Sequence, residues 1–131
     1  MRNDKEYQLC KAISTYLKLQ YPNVLYHFDY AGLNLSIQQA SKMKTIQGKI
    51  GYPDLFIIHP NGIYHGLFLE IKASESQLYN KNGNFKSEHI RGQNNYIGQL
   101  RAKGFRAEFI CSFDEAKLSI DNYINCYYNN F

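Results

Sequence analysis

Two carboxylates and a lysine are the residues of this sequence whose types and spacing best suit catalysis. Glu70 and Lys72 are two residues apart in an apolar run, so on a β-strand both side chains point to one face of the sheet. Asp54 follows Pro53 at the start of another apolar run, and a strand tolerates proline at its first residue. Carboxylates that meet at strand ends form an oxygen site suited to Mg²⁺ or Mn²⁺. Such a cation lowers the pKa of bound water and neutralises charge on a phosphoryl group, and a neighbouring lysine can position the attacking water.

The same residues admit a simpler interpretation, an exposed Glu–Lys pair on a strand and an aspartate in a turn. The register of the two strands distinguishes the interpretations, because opposed residues of antiparallel strands share a face. A tight turn at 61–62 would set Asp54 opposite Leu69 and destroy the site. A connection with an odd number of residues would set Asp54 opposite Glu70 or Lys72, so we expect this wider connection or a bulge.

The hydrophobic periodicity predicts how these residues are positioned. Capping residues and glycines suggest the ends of each element. Helices are predicted over 4–19, 36–46, 87–103 and from 112 onward, strands over 24–28, 54–58, 66–73 and 105–111, and a mobile loop over 74–87. The order α-β-α-β-β-α-β-α predicts an α/β fold, an α-β-α sandwich around a small mixed central sheet.

Length and composition limit the class of protein. The chain has 131 residues, of which 44% are hydrophobic and 20% charged, with a net charge of +4. This composition fits one globular domain over 1–131 and excludes a disordered tail. No apolar run approaches the length of a membrane span, and the first residues lack the apolar stretch of a secretory signal. We therefore expect a cytoplasmic protein.

The order of the motifs resembles a known nuclease superfamily. The pattern is Gly51-x-Pro53-Asp54, then Glu70-Ile71-Lys72, then Gln93 on a helix that ends at Gly104-Phe105. It resembles the PD-(D/E)XK nucleases, and among them the VRR-NUC group, the virus-type replication-repair nucleases, in the short stand-alone form seen in phages. The resemblance extends from Glu6 to about Tyr123 and implies a restriction-endonuclease-like sandwich.

The resemblance also implies roles for individual residues. Asp54 and Glu70 would be carboxylate ligands of Mg²⁺ or Mn²⁺, and the carbonyl of Ile71 would complete the coordination shell. Lys72 would be the catalytic lysine, and Gln93 would match the helix glutamine of the family. A glutamine on an inward helix face can equally be a core residue bonded to backbone.

Glu6 matches an acidic residue on the first helix of the family, which implies a further metal ligand. Its place in one stripe with Cys10, Ile13 and Leu17 supports this, because an unpaired buried carboxylate is costly. The alternative is an exposed carboxylate in the first turn, where it stabilises the helix through the dipole.

Basic residues lie on both sides of the site in sequence and are expected to contact phosphate. Tyr79 and Phe85 offer stacking surfaces for unpaired bases. Tyr96, one helical turn after Gln93, is a further DNA-contacting candidate, and His89, one turn before it, could face phosphate. The basic candidates are Lys42, Lys44, Lys49, Lys81, Lys86 and Arg91.

These features predict a metal-dependent DNA endonuclease that recognises the shape of its substrate, since no base-reading module is evident. The resemblance to stand-alone members implies an enzyme like the Holliday-junction resolvases, acting on branched DNA as a homodimer. The alternatives are a restriction-type or nicking nuclease of the same superfamily and a non-catalytic nucleic-acid-binding module.

The dimer interface is predicted at one of two surfaces. One is the loop 74–87. The other is the aromatic end of the last helix, because aromatic residues are enriched at interface cores. The aromatic residues in question are Tyr123, Tyr127, Tyr128 and Phe131.

Overall fold

The computed structural model describes residues 4–29 and 35–126. Its helices are α1 (Asp4–Gln20), α2 (Ile37–Ile46), α3 (Glu88–Ala102) and α4 (Phe113–Ile124), and its strands are β1 (Leu25–Phe28), β2 (Leu55–Ile58), β3 (Leu67–Ile71) and β4 (Arg106–Ile110). The predicted order of elements is confirmed, and the strands are shorter than predicted by one to three residues. None of the helices in these two ranges has the length and apolar character needed to cross a membrane.

The four strands form one mixed sheet in the order β1-β2-β3-β4. β2 is antiparallel to both β1 and β3, so a short connection suffices between β2 and β3. β4 is parallel to β3, and a parallel pair needs a crossover, which α3 supplies. This crossover brings α3 onto the face of β3 that carries Glu70.

Alternation along β3 divides the molecule into layers. Leu67, Leu69 and Ile71 pack with α1 and α4 in the main core. Phe68 points to the other face and packs with Ile97 and other residues of α3. The predicted α-β-α sandwich around a mixed sheet is therefore confirmed.

The wide connection between β2 and β3 is confirmed. Leu55 pairs with Leu69 and Phe56 with Phe68, and one further step in this register sets Asp54 opposite Glu70. The side chain of Asn61 closes a longer turn instead of a tight hairpin, because its Oδ1 accepts hydrogen bonds from the backbone N–H groups of residues 63 and 64.

Two segments differ from the sequence-based expectation. The segment 74–87 contains a 3₁₀ turn at Glu75–Gln77 and an isolated bridge between Tyr79 and Phe85. Its structure depends on local hydrogen bonds, since the Asn80 side chain accepts from the backbone N–H of residues 82 and 84. These short-range bonds order a stretch whose composition predicts only a mobile loop.

Tyr123 is not part of an exposed aromatic surface, and the prediction that it lies at an interface is wrong. Its side chain is fully buried in the main core. Its hydroxyl donates to the carbonyl of His59 at 2.6 Å, which explains how a phenol can be buried there. The other aromatic residues of that prediction, Tyr127, Tyr128 and Phe131, lie outside the described residues.

Candidate metal-binding active site

Asp54 lies at the point where β1, β2 and β3 meet. Its backbone carbonyl accepts a hydrogen bond from the N–H of Asp29 at the end of β1, at 2.8 Å. Its side-chain Oδ2 accepts from the N–H of Ile71 on β3, also at 2.8 Å. Just before β2 begins, the Asp54 carboxylate thus accepts the hydrogen bond from β3 that a backbone carbonyl would accept within the sheet. This bond fixes the Asp54 side chain beside Glu70.

Glu70 is the most deeply buried carboxylate of the predicted site, with 3% of its surface exposed. Its Oε1 accepts a hydrogen bond from Nε2 of Gln93 on α3 at 2.7 Å. Within the described residues its Oε2 has no hydrogen-bond partner, and neither has Oε1 of Gln93. Two buried oxygens therefore face the site with unused lone pairs, an arrangement that native proteins rarely keep without a function.

Lys72 shares the face of Glu70, as the spacing of two predicts. Its Nζ lies 3.5 Å from Oε1 of Glu70, and 7% of the residue is exposed. A buried ammonium group beside a carboxylate supplies one positive charge to a site that otherwise contains two negative charges. The simpler interpretation of an exposed Glu–Lys pair is wrong, because both residues are buried.

The electrostatics of Glu70 are those of a site with excess negative charge. Burial raises the pKa of its carboxyl, and so does repulsion by Asp54, while Lys72 lowers it. The net direction is a raised pKa, because one lysine does not offset both burial and a second carboxylate. A divalent cation bound between the two carboxylates would reverse this balance.

The donor set therefore fits a hard cation. Asp54 and Glu70 offer carboxylate oxygens, and the buried Oε2 of Glu70 has no protein partner. Across the described ranges, no three His, Cys, Asp or Glu side chains are grouped closely enough to hold one metal ion. The candidate site thus has two acidic side chains, and any further ligands would come from backbone carbonyls or water.

Gly51 explains how the loop before Asp54 comes close to α3. It has a φ of +103°, and a Cβ there would lie 2.9 Å from the carbonyl oxygen of Gly92 and 3.3 Å from Cα of Gln93. Only glycine fits both the positive φ and this close approach. The glycine of the Gly51-x-Pro53-Asp54 motif therefore sets the distance between the carboxylate and Gln93.

Two residues near the site are absent from the sequence-based prediction. Tyr52, between Gly51 and Pro53, makes edge contacts with Phe68 and Tyr96 and is 40% exposed. Its pKa is raised by burial, by Tyr96 and by the negative charge of Asp29. The position of Tyr52 inside the motif was a usable signal, whereas nothing in the sequence links Asp29 to a site 25 residues later.

For two of the predicted metal ligands, Glu6 and the carbonyl of Ile71, the structure gives no direct evidence of coordination. Glu6 lies half-buried in the first turn of α1 and belongs to no group of three metal-ligating side chains among the described residues. Ile71 has its side chain in the main core and its N–H bonded to Asp54. Coordination by Glu6 and by the Ile71 carbonyl both stay predictions.

Several of the predicted DNA-contacting residues already have protein partners. The basic candidates Lys42, Lys44, Lys49, Lys81, Lys86 and Arg91 are all exposed, and so is His89. Lys49 donates to Oε1 of Gln99 at 2.9 Å, Lys86 donates to the Ser76 carbonyl, and Arg91 pairs with Glu88.

The aromatic candidates are also engaged within the protein. Tyr79 and Phe85 stack on each other with ring centroids 5.4 Å apart. Tyr96 is half-buried against Tyr52. Stacking with bases therefore requires the outer face of the Tyr79–Phe85 pair, of which Tyr79 is 45% exposed.

Comparison with known proteins agrees with this architecture. No family model matches the sequence, and no curated protein matches it either. Among solved structures, a "VRR_NUC domain protein" superposes with a TM-score of 0.70 at 25% identity, over 95% of this chain and 92% of its own. A "VRR_NUC domain" superposes with a TM-score of 0.55 at 21% identity, over 92% of this chain and 99% of its own. The arrangement of α3 and α1/α4 about the mixed sheet is therefore that of these structures, and the chain has the VRR-NUC fold.

Proposed function

We propose that this protein is a metal-dependent, structure-selective DNA endonuclease that hydrolyses phosphodiester bonds. The observation that carries the proposal is the buried Oε2 of Glu70, which lacks a hydrogen-bond partner beside a second carboxylate, Asp54. Burying such a pair without a cation is costly. The VRR-NUC fold of the chain supports a nuclease, since the structures that share it bear that name.

Mg²⁺ or Mn²⁺ bound here would lower the pKa of a water molecule and neutralise charge on the scissile phosphate. Asp54 and Glu70 would hold the cation. The hydrogen bond from Ile71 N–H orients Asp54 through Oδ2, and Gln93 orients Glu70 through Oε1 and leaves Oε2 available. Lys72 would then position the attacking water and stabilise negative charge on the phosphate.

The proposed substrate is branched DNA. Exposed lysines before and after the site in sequence would contact phosphates, which positions a substrate without reading its sequence. We further propose a homodimer, because two symmetrical cuts at a four-way junction require two sites. Sedimentation or light scattering at micromolar concentration tests this assembly, and a monomer that cuts junctions symmetrically would contradict it.

The experiment that tests the proposed function is a cleavage panel of labelled junction, flap, splayed and linear DNA. We expect cutting with Mg²⁺ or Mn²⁺, none in a chelator, and suppression by Ca²⁺, which accepts looser geometry and activates water less well. Glu70→Ala should abolish cutting, whereas Asp114→Ala, which removes an exposed carboxylate on α4, should leave it unchanged. Full cleavage in a chelator would refute the proposed mechanism.

A further inference from the structure

Helix α2 differs from the other helices because none of its ten residues is buried. Ile37 is 87% exposed, Ile46 is 76% exposed and Met43 is 46% exposed. Every residue from 35 to 50 is exposed except Ala40, which is half-buried. Large aliphatic side chains on a helix normally face a core or a partner.

The helix is also too short to be stable on its own. Isolated helices of fewer than about 12–15 residues are marginal in water. A capping box stabilises its start, since Oγ of Ser36 accepts from the N–H of Gln39 and the Gln39 side chain accepts from the N–H of Ser36. The remaining stability must come from something that covers its apolar side chains.

Two of the exposed apolar side chains share one side of the helix. Met43 and Ile46 are three residues apart, so they point within about 60° of each other, whereas Ile37 lies half a turn from Ile46. Lys42 and Lys44 fall on either side of the Met43–Ile46 pair. We call Met43, Ile46 and these two lysines the α2 ridge.

The charge of this segment indicates the kind of partner. Residues 35–53 contain three lysines and no acidic residue. A second copy of the same surface would bring like charges together, which is unfavourable, whereas a polyanion would be attracted. The segment leads directly into Gly51 and Asp54, and Lys49 ties it to α3 through Gln99. The α2 ridge is therefore joined to the loop of the candidate active site by only a few residues of chain.

We propose that the α2 ridge inserts its aliphatic side chains into an open base step at the branch of a DNA substrate, while Lys42 and Lys44 contact phosphates on either side. The proposal rests on the proposed function and adds a physical basis for selecting branched DNA. Apolar wedges between base steps are a known way to hold bent or opened DNA. Insertion requires unstacking, which costs least where stacking is already interrupted, as at a branch.

The test measures binding in a chelator, where no cutting is expected, to a three-way junction and to linear duplex of equal length. Met43→Gln/Ile46→Gln removes apolar surface without changing charge, and we expect about tenfold weaker binding to the junction with little change on linear DNA. Lys42→Gln/Lys44→Gln should weaken binding to both DNAs and reduce the slope of log K against log salt by about two. Leu118→Gln, an equally polar change at an exposed leucine of α4, is the matched control and should change neither.

A 2-aminopurine placed at the branch reports unstacking directly. Its fluorescence should rise on binding the unaltered protein and the Leu118→Gln variant, and should not rise with Met43→Gln/Ile46→Gln. Equal affinities of the Met43→Gln/Ile46→Gln variant and the unaltered protein for the junction would overturn the proposal. So would light scattering that shows a dimer converted to a monomer by this variant, since the ridge would then be an interface between copies.

The two proposals fail in different ways. A protein that binds junctions through the α2 ridge but is never able to cut them, with any divalent cation, would contradict the proposed function alone. A protein that cuts junctions at an undiminished rate after Met43→Gln/Ile46→Gln would contradict the wedge alone.

Discussion

Two acidic residues on opposite sides of the sheet show opposite solutions to the burial of a carboxylate. Asp121, on α4, accepts hydrogen bonds on Oδ1 from the hydroxyls of Tyr16 at 2.5 Å and Tyr21 at 2.6 Å. Its Oδ2 accepts from Nζ of Lys117 at 3.1 Å. Glu70 accepts from the amide of Gln93 and lies 3.5 Å from Nζ of Lys72, and its Oε2 has no hydrogen-bond partner within the described residues.

The pKa values of these carboxyl groups move in opposite directions. Burial raises the pKa of Asp121, but the hydrogen bonds from Tyr16, Tyr21 and Lys117 outweigh it and the net pKa is lowered. Burial and Asp54 raise the pKa of Glu70. The fully bonded carboxylate stabilises the contact between α1 and α4, whereas the incompletely bonded one keeps its oxygens for a ligand. The difference teaches that burial and hydrogen-bond satisfaction together separate a structural acid from a functional one.

The largest expected effect is on activity. Asp54→Asn keeps the size and the hydrogen bond to Ile71 N–H but removes a negative ligand. Cleavage in Mg²⁺ should fall by at least about 100-fold, and Mn²⁺ binding measured by calorimetry should be lost. Asp121→Asn is the matched change at the bonded acid, and a similar loss of activity there would contradict the distinction between the two residues.

Next in size is the stability of the α1–α4 contact. Asp121→Ala leaves the hydroxyls of Tyr16 and Tyr21 without their acceptor, so the free energy of unfolding should fall by about 2–3 kcal/mol. Denaturant titration followed by circular dichroism measures this. Asp114→Ala, at an exposed position of the same helix, should cost less than about 1 kcal/mol, and an equal loss there would argue against the network.

A smaller change in the free energy of unfolding is expected at Glu70, where substitution should stabilise the protein and not destabilise it. Its raised pKa means that the metal-free folded state holds a proton more tightly than the unfolded state. Stability should therefore fall as pH rises above the ordinary value of 4.5. Glu70→Gln removes this dependence and should stabilise the metal-free protein near neutral pH by about 1–2 kcal/mol, because the amide of Gln93 can turn over and accept from the new amide.

Asp121 gives the contrasting pH dependence. Its lowered pKa contributes stability that is present above its ordinary value of 3.8 and is lost as pH falls through the folded value. Melting temperatures from pH 3 to pH 8 should thus show an acid-side loss that Asp121→Asn reduces. A Glu70→Gln curve that still declines toward alkaline pH like that of the unaltered protein would contradict the assignment to Glu70.

The smallest effect separates the donors within the α1–α4 network. Tyr16→Phe removes one of the two hydroxyl donors but keeps the ring, which packs edge-on against Phe113. We expect a loss of about 1 kcal/mol in unfolding free energy. Lys117→Ala should cost less than that, about 0.5 kcal/mol, because its ion pair is about half exposed. A larger loss for the lysine would reverse the ranking of hydrogen bonds over surface charge.

Local sequence signals determined the secondary structure and much of the site. Spacing by two was enough to put Glu70 and Lys72 on one face, and Ser87 and Gly104 marked the ends of α3 closely. Gln93 is buried on α3. These succeed because periodicity and capping act over a few residues, so they are present in the sequence itself.

Only the tertiary structure decided which of these residues meet and what each carboxylate does. The register that sets Asp54 opposite Glu70 depends on how Asn61 closes its turn, and the tight and wide connections are both compatible with Asn-Gly. The contacts of Tyr123 with His59 and of Asp121 with Tyr16 and Tyr21 join residues 64 to 105 positions apart in sequence. Hydrogen-bond satisfaction at such distances is a property of packing, and no local pattern encodes it. For that reason the sequence by itself identified Glu70 as a candidate ligand. Only the folded chain distinguished Asp121, which stabilises the contact between α1 and α4, from Glu70, which keeps an oxygen for a cation.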